Sequence, residues 1–568
     1  MSPSPTPSRN ARWARLLPFL QWPRASAGLL RNEALAGLTV GLMVIPQGVA
    51  YAALAGMPLI TGVYAALLPA LIAVLFSASP RLSVGPTALT CLLVSASLTP
   101  LATPGSAEWV QLAVWLALLS GGLQVLLGLV RYGWLLNLVN SPVLMAFTQA
   151  AAVLIIASQL PALTGFDNAG AMLAGQHWHP QAFAFGLGAL ALLVGARRLR
   201  PAFPSVLVLV LASAGLSQLL GFEAQGGPVI GTLPQGLPAF FVPGWPGWDT
   251  LGSLVLPTLM ITLVSFLETA SSAKVDSGQR GARWDQDQDL IGQGLAKLAS
   301  GLSGAMPTSS SFSRSALNLY AGARTGWATV FSVGVVLLAL LLAMPLLHHV
   351  PRAVLAAIVV LPVWGLIKPR AFVRLWRLSR VEALIAMATF AITLLAAPRL
   401  YWGVLAGVVM SLTLFLYLRL HPRIIEVGLH ADGSLRDRHL WQLPPLAPGL
   451  CALRMDAALD FATASALERA VADHLQDHPD TAHVMLIAHP INWIDATGAE
   501  AFGRLREQLD ERRVHLHLVG MKLPVERVLR TAGHLAESER LHLYRTEAEA
   551  LQAIAQGALA GPEAASTA

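Results

Sequence analysis

Between Leu35 and Leu420 the chain alternates long apolar stretches with short breaks of Gly, Pro or Arg. About fourteen stretches can be counted, centred near Val44, Leu71, Leu93, Leu118, Leu144, Leu187, Val210, Thr262, Leu295, Leu317, Val336, Val359, Met387 and Val409. Several are shorter than the roughly 20 residues that a simple spanning helix needs, so they are expected to be broken or partly crossing helices covered by protein or water. Beyond Leu420 the pattern changes. "LCALRMD", "AHVMLIA" and "VHLHLVGM" read as strands, "ASALERAVADHLQDH" and "GAEAFGRLREQLDERR" as amphipathic helices, and their alternation implies helices packed on one sheet. The polar, Gly- and Pro-punctuated stretch between the two regions reads as a linker along the cytoplasmic face. The expected domains are a cytoplasmic N-terminal region 1–34, a transmembrane domain 35–420, a linker 421–448, an α/β domain 449–556 and a disordered tail 557–568.

Composition supports two solvents. The 568 residues are 55% hydrophobic and 12% charged, whereas a soluble chain carries about a quarter charged residues. The first 420 residues hold 24 Lys and Arg against 11 Asp and Glu, and the last 148 hold 14 against 20. The overall charge of +7 therefore describes neither region and carries no nucleic-acid inference. Cys91 and Cys451 fall one on each side of this division and suggest neither a disulfide framework nor a metal cluster. The N-terminus, with Arg9, Arg12, Arg15 and Arg24 and no apolar core before a small-residue cleavage site, does not read as a cleaved signal peptide.

Threading fourteen crossings from an internal N-terminus places Arg81, Arg131, Arg197, Arg198, Arg200, Lys274, Arg280, Arg283, Arg324 and the run Lys368, Arg370, Arg374, Arg377 and Arg380 on the inner side. Only Arg352 and Arg399 fall outside. The positive-inside bias thus predicts a multi-pass protein of the cell inner (plasma) membrane with both termini in the cytoplasm.

The two halves correspond. The third segment opens with "LSVGPTALT" and the tenth with "GAMPTSSSFSRSALN", each a Pro-Thr pair leading into a short helix. Seven segments repeated once give an inverted repeat, here about 35–222 and 250–420, because seven is odd. Paired short, Pro-interrupted segments point to a transporter site at the bilayer midplane. Two helices that begin inside the membrane present unpaired N–H groups and positive dipole ends, which together make a seat for an anion. Thr87 can cap the first, and Ser311 or Ser313 the second.

Charges inside the apolar segments are costly and point to function. Arg314, beside Ser313, adds attraction for an anion, or else pairs with Glu268. Glu268, in "LVSFLETASSAK", is the candidate for a coupling proton, with Lys297 as a neighbouring cation. A sodium seat with Ser271 or Ser272, or a static ion pair with Lys297, are the other roles open to it. Gln47 and Tyr51 share one face of the first segment just after Pro46, placed to complete the seat or to satisfy nearby backbone.

The stretch "VIPQGVAYAALAGMPLITGVYAALLPALIAVLFSASPRLSVGPTALT", together with "FSRSALN", resembles the sulfate permease family of anion transporters, the group that includes prestin and pendrin. The resemblance implies a core domain of segments one to four and eight to eleven that moves like an elevator against a gate domain. It also implies an anion site at Gln47, Tyr51, Pro86, Thr87, Ala88, Phe312, Ser313 and Arg314, and a homodimer. Tyr51 stands where some relatives have Phe. Glu268 stands where sodium-coupled bicarbonate relatives have Asp, and the longer side chain favours a proton over sodium. The tail resembles a STAS domain, a module shared with bacterial anti-anti-sigma factors, and Thr497 in "NWIDATGAE" matches their phosphorylated serine. It is a candidate regulatory phosphosite or simply an N-cap, in a domain that could take a cytoplasmic protein partner.

No nucleotide-binding Gly loop, metal-ligand spacing or nucleophile with a paired His is present, so an enzyme, a cofactor and a metal site are not expected. The leading reading is a secondary transporter, with proton symport of a small dicarboxylate such as fumarate preferred over sulfate or bicarbonate. An anion channel, a nucleobase permease and a STAS-led membrane signalling protein are the other classes. Arg314 and the STAS tail argue against the nucleobase permease.

Overall fold

The computed structural model describes residues 17–134, 140–166, 168–175, 178–199 and 205–556. The expectations for residues 1–16, Arg200 and the tail 557–568 lie outside them. All fourteen segment centres fall within helices. These are α1 (Ala27–Leu54), α2 (Leu68–Phe76), α3 (Ala88–Leu98), α4 (Ala107–Leu129), α5 (Ser141–Thr164), α6 (Pro180–Leu199) and α7 (Ser205–Leu219) in the first repeat. The second holds α8 (Trp248–Arg280), α9 (Gln286–Leu302), α10 (Phe312–Tyr320), α11 (Trp327–Leu342), α12 (Arg352–Trp364), α13 (Arg380–Leu395) and α14 (Tyr401–Leu420). Among the described residues, six stretches are long and apolar enough to cross a membrane, while shorter apolar helices have 10–17 residues, as the interrupted pattern implied. The contacts divide the chain into two units, Met1–Ser411 and Leu412–Ala568.

In the first unit, α4 packs on α9, α1 on α11 and α2 on α9, while α5 packs on α12 and α13, and α6 on α12. The first set joins segments one, two and four with nine and eleven, and the second joins segments five and six with twelve and thirteen. Small residues bring α4 and α9 close: a Cβ on Gly121 would lie 2.8 Å from the Gly294 carbonyl oxygen, and one on Gly294 would lie 2.6 Å from that of Gly121. With little hydrophobic drive between helices in lipid, such backbone approach is a main source of helix–helix packing.

Among the described residues of the first unit, buried charges outside the expected three have partners. Glu33 of α1, fully buried, accepts from the N–H groups of Arg324 at 2.8 Å, Thr325 at 2.9 Å and Ala328 at 3.0 Å, capping α11 from another helix. Arg81 lies in the turn after α2. It is buried, with Nε 2.5 Å from Asp276 Oδ1, and Arg280 reaches the other oxygen of Asp276 at 2.7 Å. Asp289 accepts from the Ser79 hydroxyl and Trp284 Nε1, both at 2.7 Å. Asp276 and Asp289 lie near the ends of α8 and α9, where the sequence reads as punctuation.

The second unit contains a six-stranded sheet, with strands β3 (Ile424–Leu429), β4 (Leu435–Asp437), β5 (Leu450–Met455), β6 (His483–Ile487), β7 (His515–Val519) and β8 (Leu541–Tyr544) in the order β4-β3-β5-β6-β7-β8. Strands β5 to β8 are parallel, and β3 runs antiparallel to both neighbours. The segment expected as the linker therefore supplies two strands. Its Ala-Asp-Gly-Ser turn, with Gly433 at φ +83°, closes a hairpin. The charged residues that suggested a linker pair across it, Arg438 with Glu426 at 2.5 Å and Arg423 with Asp437 at 2.8 Å. Helices α15 (Ala464–Asp477), α16 (Ala496–Glu511) and α17 (Leu523–Thr531) bury Leu467, Leu505 and Leu529 in a core with Leu453, Leu486 and Leu518. The opposite face holds a smaller core of Met485, Ile487 and Val519 with Ala550 of α18 (Glu547–Ala555).

Candidate functional site

The interrupted third and tenth segments meet. Two short strands, β1 (Val84–Gly85) and β2 (Ser309–Ser310), pair antiparallel with Val84 opposite Ser310 and Gly85 opposite Ser309. The Ser311 N–H donates to the Ser83 carbonyl at 2.9 Å, the Ser83 N–H to the Ser315 hydroxyl at 3.0 Å, and Asn318 Nδ2 to the Arg81 carbonyl at 2.8 Å. These cross-bonds supply partners for extended backbone that a membrane would otherwise leave unsatisfied. They also fix the starts of α3 and α10 relative to each other. An antiparallel pair drawn from corresponding positions is what an inverted repeat produces.

Each short helix begins at the expected hydroxyl. Thr87 Oγ1 accepts from the Thr90 N–H at 3.4 Å, and Ser311 Oγ from the Arg314 N–H at 3.5 Å, so Ser311 rather than Ser313 caps the second. Pro86, Thr87, Ala88 and Ser311 are buried, while Phe312 and Ser313 are exposed, so the first turn of α10 opens onto accessible space.

Arg314 is 1% exposed and donates through Nε to the Ser83 hydroxyl at 3.3 Å, but its Nη2 is buried without a hydrogen-bond partner. A Cβ on Gly85 would stand 3.3 Å from that nitrogen, so the strand passes close over the guanidinium. Gln47, 1% exposed on α1, likewise has neither end of its amide hydrogen-bonded. Tyr51, one turn on, is buried and within electrostatic reach of Arg314 and Glu268. Helix α1 packs on both α3 and α10. Buried donors without partners are rare, and a bound anion is the natural acceptor for a guanidinium and an amide N–H.

Glu268 and Lys297 occupy different places. The Glu268 carboxylate on α8 accepts from the Thr87 hydroxyl at 2.9 Å and the Thr90 hydroxyl at 3.4 Å, so it sits at the positive end of α3. Lys297 is fully buried and donates to Gln124 Oε1 at 2.7 Å and Ser265 Oγ at 2.6 Å, so two neutral oxygens hold its ammonium. Ser265 lies three residues before Glu268 on α8, which sets Lys297 beside the carboxylate's helix rather than at the start of α10. Sequence reasoning missed Ser83, Thr90, Gln124 and Ser265. Thr90 alone had a local signal, its i+3 spacing from the capping Thr87.

Thr497 is exposed at the start of α16, whose N-cap is Asp495, accepting from the Gly498 N–H at 2.7 Å. The N-cap reading of Thr497 is therefore corrected: the side chain one position before the helix has the β-region backbone and the reach that capping needs.

Residues 30–389 match the sulfate permease family and residues 445–550 the STAS domain. A protein of Mycobacterium tuberculosis named as a probable sulfate transporter is 32% identical over 560 residues, covering 96% of this chain and 98% of its own length. A probable sulfate transporter of Arabidopsis thaliana is 31% identical, covering 88% of this chain and 77% of its own length. The murine Solute Carrier 26 family member A9 anion transporter, in its inward-facing state, superposes with a TM-score of 0.87 at 19% identity, covering 98% of this chain and 96% of that one. The transmembrane domain of a cyanobacterium bicarbonate transporter gives a TM-score of 0.58 at 20% identity, over 68% of this chain and 98% of that one.

Proposed function

Because the chain belongs to the sulfate permease family, a family of multi-pass anion transporters, we propose that it is a secondary active transporter. It moves a small oxyanion by alternating access, and Glu268 carries a coupled proton. The observation that carries this reading is the seat itself, two half-helix starts joined by a strand pair, with the free Nη2 of Arg314 and the unpartnered amide of Gln47 beside it. Glu268 already draws on the hydroxyls of Thr87 and Thr90 at the start of α3. An anion arriving there meets a like charge, so its binding is favoured when Glu268 is protonated. Reciprocity then makes anion binding favour protonation, which is the thermodynamic content of symport. Lys297, held by Gln124 and Ser265, offsets the carboxylate charge when the proton has left.

Sulfate is the first substrate to test, because relatives spanning nearly the full chain carry that name. Fumarate, the dicarboxylate preferred from sequence, and bicarbonate are the other anions to test. Sodium is the competing coupling ion. The helix set that holds the seat would move against the set built on α5 and α12, as an elevator. The inner membrane, cytoplasmic termini and a homodimer complete the proposal, with Thr497 exposed to accept a phosphate and the STAS domain open to a cytoplasmic partner.

The test is uptake of labelled sulfate, fumarate and bicarbonate into proteoliposomes under an inward proton gradient, an inward sodium gradient or neither. Accumulation of one anion driven by the proton gradient alone is expected. Accumulation driven only by sodium would remove the proton assignment, and no uptake under any gradient would remove the transporter reading for these anions.

A further inference from the structure

We propose that Glu223, His348 and His349 form a binding site for a divalent transition-metal ion, zinc in the first instance, that ties the end of the first repeat to the second. Glu223 lies in the turn after α7. His348 and His349 follow the 3-10 turn Met344–Leu347 that leads from α11 towards α12. The two segments are far apart in sequence and have no part in the anion seat. Glu223 Oε2 lies 3.2 Å from His348 Nε2 and 3.1 Å from His349 Nδ1, and the three donor atoms lie within 4.8 Å of one another.

Tetrahedral zinc bound at about 2.0–2.1 Å separates its ligand atoms by roughly 3.3 Å, so this cluster closes on an ion with small shifts. Two imidazoles and one carboxylate are the donor set that leaves a fourth position open. The consecutive rings stand 4.6 Å apart at 75° and turn different nitrogens towards one oxygen. An ion pair would need only one of them, and two imidazolium rings on a single carboxylate would repel each other. A cation between the three groups uses every donor.

The scaffold is fixed before any ion arrives. The Ile230 N–H donates to the Val350 carbonyl and the Gly231 N–H to the His348 carbonyl, both at 3.0 Å, and the Arg352 N–H donates to the Pro228 carbonyl at 2.9 Å. An adjoining cavity of about 400 Å³ is lined by Ser217, Gln218, Gly221, Glu223, Ala224 and His349. The Ser217 hydroxyl in its wall is 1% exposed and has no hydrogen-bond partner. A buried hydroxyl without a partner is a standing cost. A water from this cavity fills the fourth metal position and completes the coordination.

The test is a titration of the tag-free, full-length protein in detergent with zinc chloride, followed by calorimetry and by the thermal midpoint. One equivalent bound per chain with a raised midpoint is expected. The variants His348→Ala and His349→Ala should weaken binding at least tenfold while keeping the elution profile and the anion uptake of the parent. Zinc-edge X-ray absorption of the parent complex should show two imidazole nitrogens and carboxylate or water oxygen. The proposal is overturned if the parent binds no stoichiometric zinc, if the variants bind as tightly as the parent, or if the absorption spectrum lacks the two imidazoles.

Discussion

Arg314 is buried, yet one of its guanidinium nitrogens has no hydrogen-bond partner. Replacing it with Gln keeps a polar side chain able to reach Ser83 and removes the charge. Loss of a charge-assisted contact of about 1.5–3 kcal/mol predicts an uptake deficit of roughly 10- to 100-fold at low substrate, with unchanged elution from a sizing column. Unimpaired uptake by Arg314→Gln would show that the guanidinium is purely structural. Glu268→Gln places a permanently neutral group against Thr87 and Thr90. Exchange of labelled for unlabelled anion should persist in this variant while uptake no longer responds to an inward proton gradient. A variant that still concentrates substrate with the gradient would move the coupling site elsewhere. Lys297 and Gln124 are less accessible to single-residue logic, because each satisfies the other and removal of either leaves a buried polar group.

The β6–β7–β8 face of the second unit carries a ladder of imidazoles that alternation along β7 sets up. His483 stands opposite His515, and His517 opposite His542. His483 Nδ1 is 3.1 Å from His517 Nε2, His515 Nδ1 is 3.2 Å from His542 Nε2, and His517 Nδ1 is 3.3 Å from the Tyr544 hydroxyl. Burial, then the neighbouring His542, His483 and His515, pushes the His517 pKa down to about 3. The unfolded chain takes up this proton near the ordinary value of about 6.5, so it binds more protons than the folded form between those limits. The contribution of His517 is therefore fully present above about 6.5 and lost as pH falls through that value towards the folded one. Amide exchange in β7 of the full-length protein should be slowest near pH 8, after correction for intrinsic rates, and should lose protection on acidification to pH 5. His517→Leu should flatten this dependence. Protection that rises with acid would contradict a neutral, buried His517. The α4–α9 pair, by contrast, is brought close by Gly121 and Gly294, which let two backbones approach.

At the scale of the molecule, the proposed alternating access makes a prediction that a pore does not. Labelled substrate inside proteoliposomes should then leave faster when unlabelled substrate is added outside, because the loaded carrier returns more readily than the empty one. Efflux indifferent to external substrate would favour a channel. Much of this organisation is legible along the chain: the fourteen apolar segments, the short third and tenth, and the α/β tail follow from local hydrophobic period and from Pro and Gly breaks, which act through neighbours in sequence. Thr87 and Ser311 were legible as caps for the same reason. The hairpin Ile424–Asp437 was not, because its charges are satisfied only across the sheet and look like a solvated linker when read singly. Only the tertiary structure decided that Glu268 sits on Thr87, that Lys297 rests on Gln124 and Ser265, that Arg81 pairs with Asp276, and that Glu33 caps α11. Sequence by itself determined which residues had to be helical, interrupted or membrane-buried, since those depend on local period and solvent. Which buried charge meets which partner depends on packing between segments up to about 290 residues apart, as Glu33 and Arg324 are, and no local pattern carries that distance.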